Sequence, residues 1–223
     1  MSFLKKALAI TWKDALAEMR TKEIISAVLV FTLLVIVIFN FAFGKRQDIV
    51  KEVASGMLWV TFAFAGVLSL NRAFIMEKED GCLEGLMVSP VSRDAVYVGK
   101  MISSLLFMLM IEAISLPIFS ALFGVPVLSV QMIVIVLLTT FGFVAVGTLF
   151  SALAVNTKAR EMVLPILFFP IIAPVIICAV NASDLAITGA TWGELGKWLQ
   201  VIIAFDAIFV VVSYLIFAYV IEE

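Results

Sequence analysis

The chain has 223 residues, of which 64% are apolar and only 14% are charged. A soluble domain carries about 45–50% apolar and about 25% charged residues, so this chain lacks the polar material to cover a water-facing surface. Its net charge of −2 offers no basic face to nucleic acid. It has no histidine, and its two cysteines, Cys82 and Cys178, are too few for a disulfide framework or a zinc pattern. The composition predicts an all-α polytopic membrane protein.

The amino-terminal residues 3–20 carry an apolar stripe at helical spacing. Leu4, Leu8, Trp12 and Leu16 recur every fourth residue, while lysine and arginine occupy other positions of the helical wheel. Such a helix lies in the headgroup plane with its stripe toward the acyl chains. We therefore predict an in-plane amphipathic helix, with a cytoplasmic helix packed on protein as the alternative.

Six segments are apolar over about 20 residues, the length that crosses a bilayer as a helix. They are expected at about 24–43, 53–70, 101–123, 130–154, 162–180 and 199–221. The fifth contains Pro165, Pro170 and Pro174, each of which removes a backbone donor, so this span should be kinked or broken. The whole of 1–223 is then a single transmembrane domain.

Thr191 precedes Glu194 by three residues, just before the last span. This spacing predicts a capping box that starts a short helix from Trp192 to about Leu199.

Lysine and arginine are distributed unevenly over the alternate connections. Eleven lie before the first span, after the second or after the fourth, and four lie in the other connections. Cytoplasmic loops carry the excess of these residues. Both termini are therefore expected in the cytoplasm.

Residues 71–100 form the only sizeable polar stretch, with nine charges, and would face the cytoplasm. Within it, Glu77 to Gly81 is a polar cluster that forms turns, and Pro90 ends whatever helix precedes it. Leu83 and Leu86 lie on one face at helical spacing between them. We expect Lys100 at the mouth of the third span, where its ammonium can reach water.

A short helix of this composition fits a groove of a cytoplasmic partner. The other interpretation, a solvated loop that only connects two spans, stays open on composition alone.

Two acids, Glu112 and Asp206, lie inside predicted spans. A charge at mid-bilayer costs about 2.5–3.5 kcal/mol on insertion scales, so such residues face protein or water. We expect both to face the bundle interior, where they either fix helix packing through hydrogen bonds or contribute to a functional route.

The polar stretch resembles the coupling segment of type-2 permeases of ATP-binding-cassette exporters, and more narrowly that of the CcmB family. The residues that carry this resemblance are Glu77, Glu79, Asp80, Gly81, Leu83, Glu84, Leu86 and Pro90, followed by Lys100. Chain length, the six spans, Trp59 in the second span, and Arg72 with Phe74 before the motif also agree with that family.

The resemblance implies a bacterial inner-membrane permease of cytochrome c maturation. It implies a CcmA-like ATPase subunit that hydrolyses ATP, CcmC-like and CcmD-like membrane partners, a CcmE-like haem chaperone, and haem as the substrate. The chain has no Gly-x-x-x-x-Gly-Lys-Ser/Thr motif, so it is expected not to hydrolyse ATP and not to be an enzyme. Without histidine or a zinc pattern of cysteines, it is also expected to bind no metal directly. The alternatives are an exporter permease for another lipophilic substrate and a membrane scaffold that moves nothing.

Overall fold

The computed structural model describes residues 3–43, 46–79, 92–155 and 160–220, and the regular elements in these ranges are all helices. Seven helices lie there: α1 Phe3–Thr21, α2 Glu23–Phe43, α3 Gln47–Glu79, α4 Arg93–Phe123, α5 Val130–Val155, α6 Arg160–Ile187 and α7 Trp192–Val220. Helices α2 to α7 are each long and apolar enough to cross a membrane. The prediction of an all-α protein with six spans is confirmed.

Several helices extend beyond the predicted spans. Helix α3 continues to Glu79, and α4 begins at Arg93 rather than near 101. Much of the stretch 71–100 is therefore helix that continues a span, because residues such as Ala73 and Val96 do not interrupt helical hydrogen bonding even where charges accumulate.

The two helices near the carboxyl terminus also differ from expectation. Helix α6 runs unbroken through Pro165, Pro170 and Pro174, so this span is not broken, and a kink at the prolines stays a prediction. Helix α7 begins at Trp192 as predicted, and the Glu194 carboxylate accepts a hydrogen bond from the Thr191 backbone N–H at 2.7 Å. The separate short helix is wrong, because α7 continues directly into the last span.

Helices α3 and α5 form the centre of the bundle. Of the most apolar part of each helix, 72% is buried inside the protein in α3 and 67% in α5, against 17% in α2 and 22% in α7. Helix α5 packs against α3, α4, α6 and α7. The two central helices are therefore surrounded by protein, and the outer ones present most of their apolar surface outward.

Glycines allow close packing at the centre. A Cβ on Gly66 of α3 would overlap the Phe143 ring of α5, and one on Gly147 of α5 would overlap the Leu70 side chain of α3. Beside this contact the Ser151 hydroxyl donates a hydrogen bond to the Leu70 carbonyl. Small residues at these positions let the two helices interlock.

Helix ends gather at two poles of the bundle. The Tyr97 ring near the start of α4 lies 5.0 Å from the Phe217 ring near the end of α7. We call this pole, with α1, the end of α3 and the start of α4, the basic end. At the opposite end, the Asn40 amide of α2 donates to the Leu122 carbonyl of α4 at 2.9 Å. The alternation of ends agrees with six successive crossings.

Candidate functional site

Helix α1 lies directly on the start of α4. A Cβ on Gly99 would lie 2.8 Å from the Ala7 carbonyl oxygen and 2.8 Å from the Ile10 Cβ, so only glycine permits this approach. The Thr11 hydroxyl lies 3.0 Å from the Gly99 carbonyl, to which it donates a hydrogen bond across the contact. The backbone of α4 is thus in contact with α1 at the basic end.

A buried ion pair lies beside this contact. The Lys100 Nζ is 3.0 Å from the Asp14 Oδ2, and Lys100 is only 3% exposed. The Ser103 hydroxyl also donates to the Asp14 Oδ2, at 3.3 Å. The expectation that the Lys100 ammonium reaches water is wrong, because α1 covers the lysine and Asp14 pairs with it.

The apolar stripe of α1 faces away from the protein. Leu4, Leu8, Trp12 and Met19 are 57–70% exposed. The buried residues of this helix are Ala7, Ile10 and Thr11 instead. An ordinary helix packed on protein buries its apolar stripe, so the contact of α1 with α4 leaves that stripe available to another apolar phase.

The predicted coupling residues fall at the edge of what the structure describes. Glu77 and Glu79 belong to the last turns of α3. Asp80, Gly81, Leu83, Glu84, Leu86 and Pro90 lie outside the described residues. The helices on either side, α3 and α4, meet this segment at the basic end.

Glu112 of α4 is 1% exposed in the interior of the bundle. Its Oε1 accepts a hydrogen bond of 2.7 Å from the Thr140 hydroxyl of α5. Its Oε2 has no hydrogen-bond partner within the described part of the chain. This hydrogen bond joins α4 to the central helix α5, as does the bond from the Tyr97 hydroxyl to the Ala145 carbonyl at 3.0 Å.

A small cavity adjoins Glu112. Its volume is about 10 Å³, close to the least that holds one water molecule. It is lined by side chains from four helices, namely Trp59, Phe62, Ala63, Met108, Glu112, Thr140, Phe143 and Ile176. Ligand pockets for larger molecules have volumes of about 300–1,000 Å³, so this cavity fits water and not a haem.

Asp206 of α7 lies against a gap in α5. It is 6% exposed, and a Cβ on Gly142 would overlap its carboxylate. Neither carboxyl oxygen has a hydrogen-bond partner among the residues that the structure describes. The absence of a side chain at Gly142 therefore makes the room in which Asp206 packs.

Sequence reasoning missed the partners of these groups. Asp14, Thr140 and Ser183 carry no pattern of their own, although the Ser183 hydroxyl accepts a 2.9 Å hydrogen bond from the Trp59 indole N–H. Gly142 and Gly147 were visible as small residues in an apolar span, but their five-residue spacing matches no pairing motif. Partners on different helices become apparent only once the helices are packed.

Within the described ranges, no group of three histidine, cysteine, aspartate or glutamate side chains could hold a metal ion.

Six crossing helices with buried acids define a multi-pass membrane protein. Comparison with known sequences gives its family. The profile of the family described as CcmB protein matches residues 5–223, and the chain therefore belongs to the CcmB family.

Several relatives share much of this length. Heme exporter protein B of Rhodobacter capsulatus is 31% identical over 150 residues, which cover 67% of this chain and 69% of that protein. Heme exporter protein B of Pseudomonas aeruginosa is 28% identical over 162 residues, covering 72% of this chain and 73% of that protein. The protein of the same name from Paracoccus denitrificans is 28% identical over 163 residues.

Proposed function

We propose that this chain is the membrane permease subunit of an ATP-binding-cassette complex that exports haem, or releases the haem chaperone, in c-type cytochrome biogenesis. The match to the CcmB family over residues 5–223 carries the proposal. The relatives named heme exporter protein B support haem as the cargo. The sequence has no Gly-x-x-x-x-Gly-Lys-Ser/Thr motif, and in this proposal a CcmA-like subunit hydrolyses the ATP.

The proposed complex lies in the inner membrane, with both termini and the basic end in the cytoplasm. Eleven of the 15 lysines and arginines fall in the connections at that end, as expected of cytoplasmic loops. CcmC-like and CcmD-like membrane proteins and a CcmE-like haem chaperone complete the assembly.

The arrangement of α3 and α4 supports a mechanical role. Each is a continuous helix from the bundle interior to the segment 80–91, ending at Glu79 and beginning at Arg93 respectively. A displacement of the segment by an ATPase is therefore passed along two helices into the region of Trp59 and Glu112. Through Gly99 and Lys100, α4 also moves α1.

Coupling of this kind needs a difference in free energy of contact. A segment that binds the open and closed ATPase equally well shifts neither state. The acidic residues Glu77, Glu79 and Asp80 and the apolar Leu83 and Leu86 supply groups that an ATPase groove can contact in one state and not in the other.

Charge reversal tests this proposal. In the assembled complex, E79K combined with Asp80→Lys should leave membrane insertion and basal ATP hydrolysis intact while c-type cytochromes are lost. Leu83→Pro should do the same, because proline would interrupt the short helix that the sequence predicts there. The matched control is Glu52→Lys, an exposed charge near the start of α3 at the opposite end. Normal cytochrome levels in both segment variants would refute the coupling role.

A second function, a membrane anchor for the ATPase that moves no haem itself, is favoured by one observation. The cavity beside Glu112 is about 10 Å³, too small for haem. Haem flux into vesicles that contain the full complex distinguishes the two functions: ATP-dependent flux establishes a conduit, and chaperone release without flux establishes an anchor.

A further inference from the structure

The surface of α1 divides into three sectors. Successive helical residues turn by about 100°, so each sector follows from residue number. One sector packs on α4, through Ala7, Thr11 and Asp14. The next is apolar and exposed, and the third carries exposed basic side chains such as Arg20. A helix that contacts only protein and water needs one sector for each. The additional sector, which is apolar and exposed, indicates that α1 also contacts an apolar medium.

The position of α1 identifies that medium. Only Lys22, with a positive φ of 54°, separates α1 from α2, which is a candidate membrane span. The other contact of α1 is with Gly99 and Lys100 near the start of α4, also a candidate span. Helix α1 is therefore held at the level where two spans leave the membrane, with its apolar sector turned from the protein.

The charge of the exposed basic sector favours one class of lipid. The two acids of α1 are engaged elsewhere: Asp14 pairs with Lys100, and the Glu18 carboxylate accepts a 2.7 Å hydrogen bond from the Ile25 N–H. Lys5 and Arg20 are exposed: Lys5 lies between Trp12 and Leu16 at the edge of the apolar sector, and Arg20 lies just beyond Leu16 at its border. Basic groups at that border stand at the depth of lipid headgroups.

We propose that α1 is an anionic-lipid binding helix: its apolar sector inserts among acyl chains, and Lys5 and Arg20 bind phospholipid headgroups. The proposal concerns the lipid surface and does not depend on the cargo of the transporter. It commits to lipid rather than to a partner protein because α1 is continuous with one span and packed on another.

Depth measurements test the apolar sector. A spin label at Leu8→Cys is placed in the full chain, in a Cys82→Ala, Cys178→Ala background, in bilayers of phosphatidylcholine and phosphatidylglycerol. The label should be more accessible to oxygen than to a water-soluble nickel complex, and a label at Ala9→Cys, in the basic sector, should show the reverse. A Leu8 label shielded from both reagents, as in a protein contact, or open to nickel, would overturn the proposal.

Lipid selectivity tests the basic sector. Native mass spectrometry of the full chain in mixed lipids should show retention of phosphatidylglycerol over phosphatidylcholine. K5Q combined with Arg20→Gln should reduce this preference on the order of tenfold. The matched control is Arg46→Gln with Lys51→Gln, two exposed basic residues at the opposite end. An unchanged preference in the α1 variant, or displacement of the lipid by inorganic phosphate, would refute anionic-lipid binding.

Discussion

Lys100 and Asp14 form a buried ion pair between α4 and α1, with Nζ 3.0 Å from Oδ2. The pair joins a helix whose apolar side is exposed to one that continues a membrane span. Because Lys100 is almost fully buried, its ammonium depends on this carboxylate for much of its compensation.

Asp14→Ala should therefore destabilise the protein. Removal of one partner leaves a buried charge, and the expected loss in free energy of unfolding is about 3 kcal/mol. The measurement is the thermal unfolding midpoint of the purified chain in detergent. The matched control is Lys13→Ala, since the Lys13 ammonium pairs with the same carboxylate at 3.3 Å from a 47% exposed side chain. Equal midpoints for the two variants would contradict a dominant role for the buried pair.

Gly99→Ala should separate α1 from α4. The new Cβ would lie less than 3 Å from the Ala7 carbonyl oxygen and the Ile10 side chain. Because the carbonyl belongs to the backbone of α1, the helix itself would have to shift to relieve this contact. Overpacking of this kind costs about 1–3 kcal/mol, which a thermal melt of the purified chain detects. Gly56→Ala is the matched control, because a Cβ there meets nothing within 4 Å. A melting point for Gly99→Ala equal to that of Gly56→Ala would disprove close contact.

Thr140→Val should weaken the contact between α5 and α4. The variant keeps the shape of the side chain but leaves the Glu112 Oε1 without its donor, at a cost of about 1–3 kcal/mol. Thr148→Val is the matched control, because the Thr148 hydroxyl donates to the Val144 carbonyl of its own helix. The measurement is the fraction of each variant that remains in the monodisperse peak of size-exclusion chromatography after heating. Equal fractions for the two variants would count against the interhelical hydrogen bond.

Glu112→Gln distinguishes packing from a role in transport. Glutamine keeps an oxygen acceptor for Thr140, so a packing role predicts normal assembly and normal c-type cytochrome levels. Normal assembly with loss of cytochromes would instead assign Glu112 to the transport route. Immunoblots for the protein and haem staining for the cytochromes measure the two quantities separately.

The orientation of the bundle is tested by reporters. An alkaline phosphatase fused after Gly44 should be active, because the connection between α2 and α3 belongs to the end with few basic residues. A fusion after Val220 should be inactive, since Phe217 lies beside Tyr97 at the basic end. The opposite pattern would invert the topology.

Much of the fold followed from composition and spacing. Six apolar segments predicted six spans, and the boundaries of α2 and α5 agree with expectation to within a residue. The stretch 71–100 was harder, because its charges predicted a separate polar segment between two spans, whereas α3 continues to Glu79 and α4 begins at Arg93. Hydropathy indicates which part of a helix lies in the bilayer, but the helix can continue beyond that part into water.

The site was only partly predictable. Glu112 and Asp206 stood out because acids are rare in apolar spans. Their surroundings, the Thr140 hydroxyl and the space at Gly142, are separated from them by tens of residues along the chain. The pattern of apolar residues along one helix shows which of its faces is buried, but not which residues of another helix pack against that face.

The sequence by itself determined that this chain crosses a membrane six times, which face of α1 is apolar, and which pole carries most of the basic charge. These properties depend on hydropathy and charge, and each residue contributes to them independently. Tertiary structure alone decided that Lys100 is enclosed by Asp14, that Gly99 admits α1, and that Gly142 makes room for Asp206. Those contacts depend on distances of a few ångströms between helices, and packing sets such distances jointly for all the residues in contact.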